Sequence, residues 1–174
     1  MTSVNEIFRE IVGRVSERYG SHVSYLWGDW DYISNQLELW SQSKKKAPFK
    51  FPIVCLYSPF TEDRREEKSQ VSLELIVMVN TLKDYTNEER EKVSFEKVLR
   101  PIYYLLMEEI AKDKRFVSNY RDIVPHRYTE NYRYGRVGVA GPNGKPFRDF
   151  IDAIEIKEVD LTIKKTTCCY GKRI

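Results

Sequence analysis

Two long segments of this chain alternate apolar and polar residues, and this pattern limits the possible folds more than any other feature. Every second residue from Val71 to Val79 is apolar, as expected of a β-strand that buries one face. The residues between them become apolar at Ile76 and Met78, so both faces should be buried from the middle of the strand onward. The chain must therefore contain a β-sheet, and other elements must cover it.

The second alternating segment lies near the C-terminus and contains a shift in its pattern. Ile154 and Ile156 alternate with charged residues, and Val159, Leu161 and Ile163 alternate with polar residues. The phase slips by one residue between these two groups, which is the effect of a β-bulge. We predict one long final strand with a bulge at this point.

The N-terminal segment carries the signals of an amphipathic helix at both of its ends. Ser3 and Glu6 have the spacing of a capping box, in which each side chain bonds the backbone of the other residue. Apolar residues then recur at three- and four-residue intervals from Val4 to Tyr19, and Gly20 stands where a left-handed cap closes a helix. These signals predict a helix over residues 3–19.

Similar patterns predict the remaining elements, which together indicate an α+β domain. In chain order they are a short strand over 22–27, a short helix over 32–40, a strand over 51–57, a polar connection over 58–70, a short helix over 87–93 and a main helix over 96–112. Pro101 falls inside the last pattern, so either the main helix begins within a turn of it or a kink lies there. We expect a single, mostly antiparallel β-sheet covered by helices, with an extended loop or β-hairpin arm.

Length and composition indicate one ordinary globular domain. The chain has 174 residues, which fits a single domain over 1–165 followed by a C-terminal tail over 166–174. No apolar run approaches the roughly 18 residues of a membrane span. The net charge is only +3, which is too small to argue for nucleic-acid binding by itself. Cys55, Cys168 and Cys169 have no partners at zinc-ligand spacing, so we predict free thiols and no metal.

Residues 120–147 combine tyrosine, arginine and glycine, and they are long for a loop. Tyrosine and arginine are enriched as anchors at protein interfaces. We therefore predict an arm that orders against neighbouring subunits; the alternative is a self-packed β-hairpin that turns at 142–144. The candidate interface residues are Tyr120, Arg127, Tyr128, Tyr132, Arg133, Tyr134 and Arg136.

Catalytic motifs are scarce in this sequence. His22 and His126 have no nucleophile or carboxylate pattern around them, and we assign no catalytic, cofactor-binding or metal-binding residue. One alternative stays open: Glu155 and Lys157, preceded by Asp149 and Asp152, resemble the carboxylates and lysine of PD-(D/E)XK nucleases, in which two carboxylates hold Mg²⁺. A nucleic-acid-binding module, in which the aromatics and arginines of residues 120–136 contact bases and phosphates, is a third class.

The order of the landmarks resembles one known family. The N-terminal helix is followed by the strand Phe51–Tyr57, the strand Val71–Thr81, the helix phrase Phe95–Ile102 and the segment Asp149–Ile156. This order over residues 1–165 is similar to that of the tail terminator (tail completion) proteins of long-tailed bacteriophages and related prophages. Phage neck and head-completion proteins share this small α+β style and are the alternative within the same class.

The resemblance implies a structural virion protein without enzymatic activity or cofactor. Family members assemble as a homo-oligomer, a hexameric ring that caps the last ring of tail-tube subunits, stops tube growth and presents a surface to the neck of the capsid. The implied partners are the tail tube protein and a neck or head-completion protein, with DNA passing through the lumen without sequence-specific binding. The implied location is the tail or neck of the virion, after assembly in the host bacterial cytoplasm and with no membrane contact.

Overall fold

A computed structural model describes residues 3–64, 68–117, 124–134 and 149–164 of the chain. The helices are α1 (Val4–Tyr19), α2 (Trp30–Gln42), α3 (Asn87–Arg90) and α4 (Arg100–Lys112), with a 3-10 turn at Ala47–Phe49 and a π-helical segment at Glu91–Leu99. The strands are β1 (Ser24–Gly28), β2 (Ile53–Tyr57), β3 (Glu62–Asp63), β4 (Lys68–Asn80), β5 (Arg127–Asn131) and β6 (Ile151–Lys164). The predicted interface residues Tyr120 and Arg136, the thiols Cys168 and Cys169, and the predicted tail over 166–174 lie outside the described residues.

The strands form one sheet with the order β1-β2-β4-β6-β5, and the short strand β3 pairs with β4. β1 and β2 are parallel, whereas every other neighbouring pair is antiparallel. The predicted α+β class with a mostly antiparallel sheet covered by helices is therefore confirmed. β1 and β5 are the two ends of this sheet.

Helices cover both faces of the sheet, but not to the same extent. α1, the π-helical segment and α4 pack on one face with the apolar side chains of the alternating strands, including Leu73, Val77 and Ile156. α2 covers part of the other face through Trp30, Ile33 and Leu37, against a shorter set of strand residues. This explains why β4 is buried on one face near its start and on both faces toward its end, as its sequence predicts.

The N-terminal helix and the bulge are both confirmed at the residues that predict them. Ser3 and Glu6 form the reciprocal capping box, and Gly20 closes α1 with a φ of 78°. In the β4–β6 pair, Leu73 lies opposite Val159 but Leu75 lies opposite Ile156, so two residues of β6 face one residue of β4. Glu158 occupies the bulge with a φ of 54°, and this places the two apolar groups of β6 on the same face.

The polar connection predicted over residues 58–70 is wrong at its C-terminal end. β4 begins at Lys68, and Gln70 pairs with both Asp63 of β3 and Thr162 of β6. The sequence shows no apolar pattern in this part of the strand because only one face is covered. The buried side chain on that face is Ser69, which is polar. Burial of the side chains, and not strand pairing, is what produces the apolar pattern in the sequence.

The break expected between a short helix and a main helix is also absent. The chain is helical from Asn87 to Lys112, and residues 91–99 bond in the wider π pattern. Pro101 lacks the N–H that would bond the carbonyl four residues earlier, which belongs to Lys97. That carbonyl instead accepts a hydrogen bond from the Tyr19 hydroxyl of α1 at 3.1 Å. The helix therefore accommodates the proline by a change of hydrogen bonding rather than by ending.

An arginine–carboxylate cluster joins the C-terminal end of α4 to α1. Arg14 contacts both Glu109 at 2.7 Å and Asp113 at 2.8 Å, and Arg115 contacts Asp113 at 2.7 Å. Burial alone would raise the pKa of Asp113, but the hydrogen bonds from Arg115 and Arg14 outweigh it and lower the pKa to about 2. Folding therefore favours the ionised form of this carboxyl group.

Acid should remove this contribution to stability. The pKa of Asp113 is about 2 in the folded chain against 3.8 for a free side chain, so its contribution is complete above pH 4 and disappears as the pH falls toward 2. We expect Asp113→Asn to lose up to about 2 kcal/mol of unfolding free energy at pH 7 but little at pH 2. Urea unfolding of Asp113→Asn and of the unchanged protein between pH 7 and pH 2 measures this loss. Asp84→Asn, which changes an exposed carboxylate, is the control. A loss that does not depend on pH would contradict the lowered pKa of Asp113.

Candidate subunit interface

The described part of the predicted arm, residues 124–134, belongs to the subunit's own fold. Residues 127–131 form β5 and pair antiparallel with β6, from Arg127 opposite Lys157 to Asn131 opposite Ala153. The prediction of an extended arm is therefore wrong for this part, whereas the turn of the hairpin alternative, over 142–144, lies outside the described residues. The sequence gives no sign of this strand because its side chains at the end of the sheet are mostly exposed. No alternation of apolar and polar residues is therefore needed there.

Two of the predicted interface tyrosines are internal packing residues. Tyr132 stacks on Phe95 with 4.2 Å between ring centroids, and its hydroxyl donates to the carboxylate of Glu91. Tyr134 is buried beside Trp30 and Tyr57, and burial raises its pKa to about 12. Both side chains hold the segment after β5 against the subunit, so they are not available as anchors for a neighbour.

The backbone of Arg133 takes part in a buried polar cluster. Its amide donates to Asp152 Oδ1 at 2.9 Å, and its φ of 63° turns the chain between the partly buried Tyr132 and the buried Tyr134. Asp152 also forms a salt bridge of 2.7 Å with Arg90 and accepts a hydrogen bond of 2.7 Å from Ser94. Arg90 and Asp152 are both almost completely buried, so this cluster fixes the segment after β5 to the helix.

The remaining predicted residues, Arg127 and Tyr128, lie on β5, which within the described residues pairs with β6 alone, and they lie beside the partly buried Tyr103 and the exposed Tyr104 of α4. Tyr103 contacts Tyr104 at 5.2 Å and Tyr128 at 4.7 Å between ring centroids, and its hydroxyl bonds His126 Nε2 at 2.7 Å. We call Tyr103, Tyr104, His126 and Tyr128 the tyrosine cluster. Tyr104 is 62 % exposed and Tyr128 is 40 % exposed, which is unusual for large aromatic side chains.

The opposite end of the sheet carries a second group of exposed aromatic side chains. Trp27 of β1 is 42 % exposed, and Tyr32 at the start of α2 is 50 % exposed. Gly28 ends β1 with a φ of 146°, and an added Cβ would lie 2.7 Å from the Tyr32 ring. The glycine therefore allows the aromatic ring to lie directly against the end of the strand.

Sequence reasoning missed Tyr104, Trp27 and Tyr32 as surface residues of interest. The only signal for Tyr104 is its position off the apolar stripe of its helix, where a large aromatic residue faces solvent. Trp27 and Tyr32 fall in a short region of weak periodicity, and their exposure depends on β1 being the last strand of the sheet.

Comparisons with known proteins add no family to this picture. No family model matches the chain, and no curated protein matches it. Within the described residues, no helix is both long enough and apolar enough to cross a lipid bilayer.

A polar groove of about 700 Å³ opens on the face of the sheet that α2 covers only in part. Its carboxylates are Asp29, Asp31, Glu74, Glu155 and Glu158, its lysine is Lys157, and Trp30, Tyr57 and Tyr134 form its aromatic wall. Lys157 Nζ lies 3.3 Å from Glu155 Oε1, and Asn131 donates to Glu155 Oε2 at 2.5 Å. The groove is acidic and separates the two ends of the sheet on this face.

The residues of the nuclease-like pattern are not brought together as that pattern requires. Asp152 lies in the core on the α4 side, where Arg90 and Ser94 occupy its carboxylate, whereas Glu155 lines the groove on the other face. Asp149 forms a salt bridge with Lys50. Within the four described ranges, no group of three or more His, Cys, Asp or Glu side chains is arranged to hold a metal ion.

Proposed function

We propose that this chain is a structural subunit of a long-tailed phage or prophage, and that it assembles as an oligomeric ring which ends the tail tube and joins it to the neck. The observation that carries the proposal is the pair of open sheet ends. Within the described residues each end strand has a partner on one side only, and each is flanked by exposed aromatic side chains.

This arrangement suits assembly better than it suits a monomer. An open edge strand presents unpaired N–H and C=O groups that can pair with a strand of another chain. Exposed tyrosine and tryptophan are the residues that most often anchor protein interfaces. The two ends of one sheet are different surfaces, so a contact between them is head-to-tail and can close into a ring.

Element order supports the tail terminator class within this proposal. The structure has the N-terminal capped helix, the strands β2 and β4, the helical stretch around Pro101 and the final strand β6 in the order on which the resemblance rests. Glu155 lies in the acidic groove, whereas Asp152 is buried in its pair with Arg90, so the two carboxylates are not arranged as a nuclease site. We therefore do not propose an enzymatic function.

Electron microscopy of tail tubes tests this function directly. We expect the purified protein, added to polymerising tail tubes of the phage that carries it, to appear at one end of each tube and to shorten the tube length distribution. Tyr104→Asp should abolish both effects, because it places a charge among exposed aromatic side chains, while leaving the unfolding free energy within about 0.5 kcal/mol.

The matched control is Leu82→Asp, which changes another apolar side chain that is 58 % exposed but lies in the loop after the central strand β4. This variant should cap tubes as well as the unchanged protein does. Binding along the tube wall, or no binding to tubes at all, would contradict the proposal.

A further inference from the structure

The two end strands of the sheet match each other in ways that a ring contact requires. β1 and β5 each contain five residues, so each can pair along its full length with the other. β1 runs parallel to β2, and three successive antiparallel pairs lead from β2 to β5. β5 therefore runs opposite to β1 within one subunit.

This direction determines how two copies meet. In a ring whose axis follows the strands, every subunit has the same strand directions relative to that axis. β5 of one copy then meets β1 of the next in antiparallel orientation, which is the more stable of the two pairings. Each contact between β5 and β1 therefore joins the sheets of two neighbouring subunits into one continuous sheet.

The side chains on the two strands also match face by face. Tyr25 packs against the core cluster on the face of the sheet that α1 covers, so Trp27, two residues later, points to the same face. Tyr128 contacts Tyr103 of α4 and lies on that face too. Pairing the strands centre to centre, with Leu26 opposite Thr129, places Trp27 directly opposite Tyr128.

Charges on the other face are complementary. Arg127 pairs with Glu158 at 2.9 Å, and Glu158 lines the groove, so Arg127 belongs to the groove side of the sheet. The arginine side chain is 75 % exposed and can turn toward a neighbour. Asp29 and Asp31 lie on the groove side at the end of β1, which is where Arg127 of the adjoining copy would come under the same register.

We propose that the partner of β5 is β1 of a second copy of this chain, joined antiparallel with Trp27 opposite Tyr128 and Leu26 opposite Thr129. This inference rests on the proposed function, because it assigns the contact through which the ring closes. A heterologous contact of this kind leaves no open edge once the ring is complete.

Disulfide trapping tests the contact. In a background with Cys168→Ser and Cys169→Ser, the double variant Trp27→Cys/Tyr128→Cys should give a ladder of cross-linked multimers on oxidation. Each single variant should stay uncross-linked, and an equal mixture of the two should give dimers only. The first cysteine pair removes both aromatic side chains and could therefore weaken assembly. The second double variant, Leu26→Cys/Thr129→Cys, keeps Trp27 and Tyr128 and should give the same ladder of cross-linked multimers.

Native mass measurement of the background protein, alone and with tail tubes, separates the two proposals. If the background protein forms rings but neither cysteine pair gives a ladder, the ring closes elsewhere and this inference is wrong. If a single variant cross-links with itself, the contact is isologous and the inference is also wrong. If no ring forms under either condition, the proposed function fails, and the inference fails with it.

Discussion

Replacing Asp152 with alanine is expected to lower the unfolding free energy by about 3–5 kcal/mol. Asp152 accepts three hydrogen bonds, from Arg90, Ser94 and the backbone of Arg133. Without it, the Arg90 guanidinium keeps, among the described residues, only the carbonyl oxygens of Leu82 and Tyr85 as hydrogen-bond partners, and it lies in a site with 1 % exposure. An unpaired charge in such a site costs far more than the pair itself contributes.

Urea or thermal unfolding measures this loss, and two further variants make the result interpretable. Asp160→Ala removes an exposed carboxylate from the same strand and should change the unfolding free energy by no more than about 0.5 kcal/mol. Asp152→Asn keeps the shape but not the charge, so its effect should fall between these values. A loss below about 1 kcal/mol for Asp152→Ala would mean that Arg90 finds other partners.

Hydrophobic periodicity predicts the parts of this fold that are buried on one face. β4, β6 and α1 are confirmed because one side of each element packs on the same core, so apolar residues recur at the period of the element. The bulge in β6 is visible for the same reason: Val159 must return to the face that Ile156 occupies. The capping box of Ser3 and Glu6 adds a local signal that needs no tertiary contact.

Elements whose form depends on distant contacts could not be predicted in this way. β5 has exposed, polar side chains and is a strand only because β6 supplies its hydrogen-bond partners. In the π-helical segment before Pro101, the Lys97 carbonyl accepts a hydrogen bond from the Tyr19 hydroxyl of another helix, a contact that the local sequence does not show. The start of β4 is polar because Lys68 and Gln70 face solvent, although their backbones are paired.

At the candidate interface, too, the sequence predicts some features, whereas others depend on distant contacts. Tyrosine and arginine composition predicts an interface within residues 120–136 but cannot separate Tyr128, which is exposed on the end strand, from Tyr132, which is partly buried, and Tyr134, which is buried. Three residues of the same type lie within seven positions, and only their packing partners distinguish them. Trp27 becomes a candidate only when the structure shows that its strand is at the end of the sheet and that its side chain is exposed.

The second large effect is expected at Phe95, the residue through which the helix holds the segment after β5. Phe95 is completely buried, and its ring stacks on Tyr132 and lies 5.8 Å from the guanidinium carbon of Arg100. Arg100 in turn bonds Glu130 of β5 at 2.7 Å. Phe95→Ala should therefore cost about 3–5 kcal/mol of unfolding free energy, since it removes a buried aromatic ring and leaves a cavity.

Phe95→Ala should also loosen β5 more than the rest of the sheet, which a general loss of packing would not do. With Tyr132 unsupported, the amides of β5 should exchange hydrogen faster at conditions where the amides of β4 remain protected. Val93→Ala shortens an exposed side chain in the same helical segment. It should change the unfolding free energy by no more than about 0.5 kcal/mol and should leave the exchange of the β5 amides unchanged. Equal acceleration in β4 and β5 would show that Phe95 stabilises the whole sheet and does not specifically hold the edge that we assign to the subunit contact.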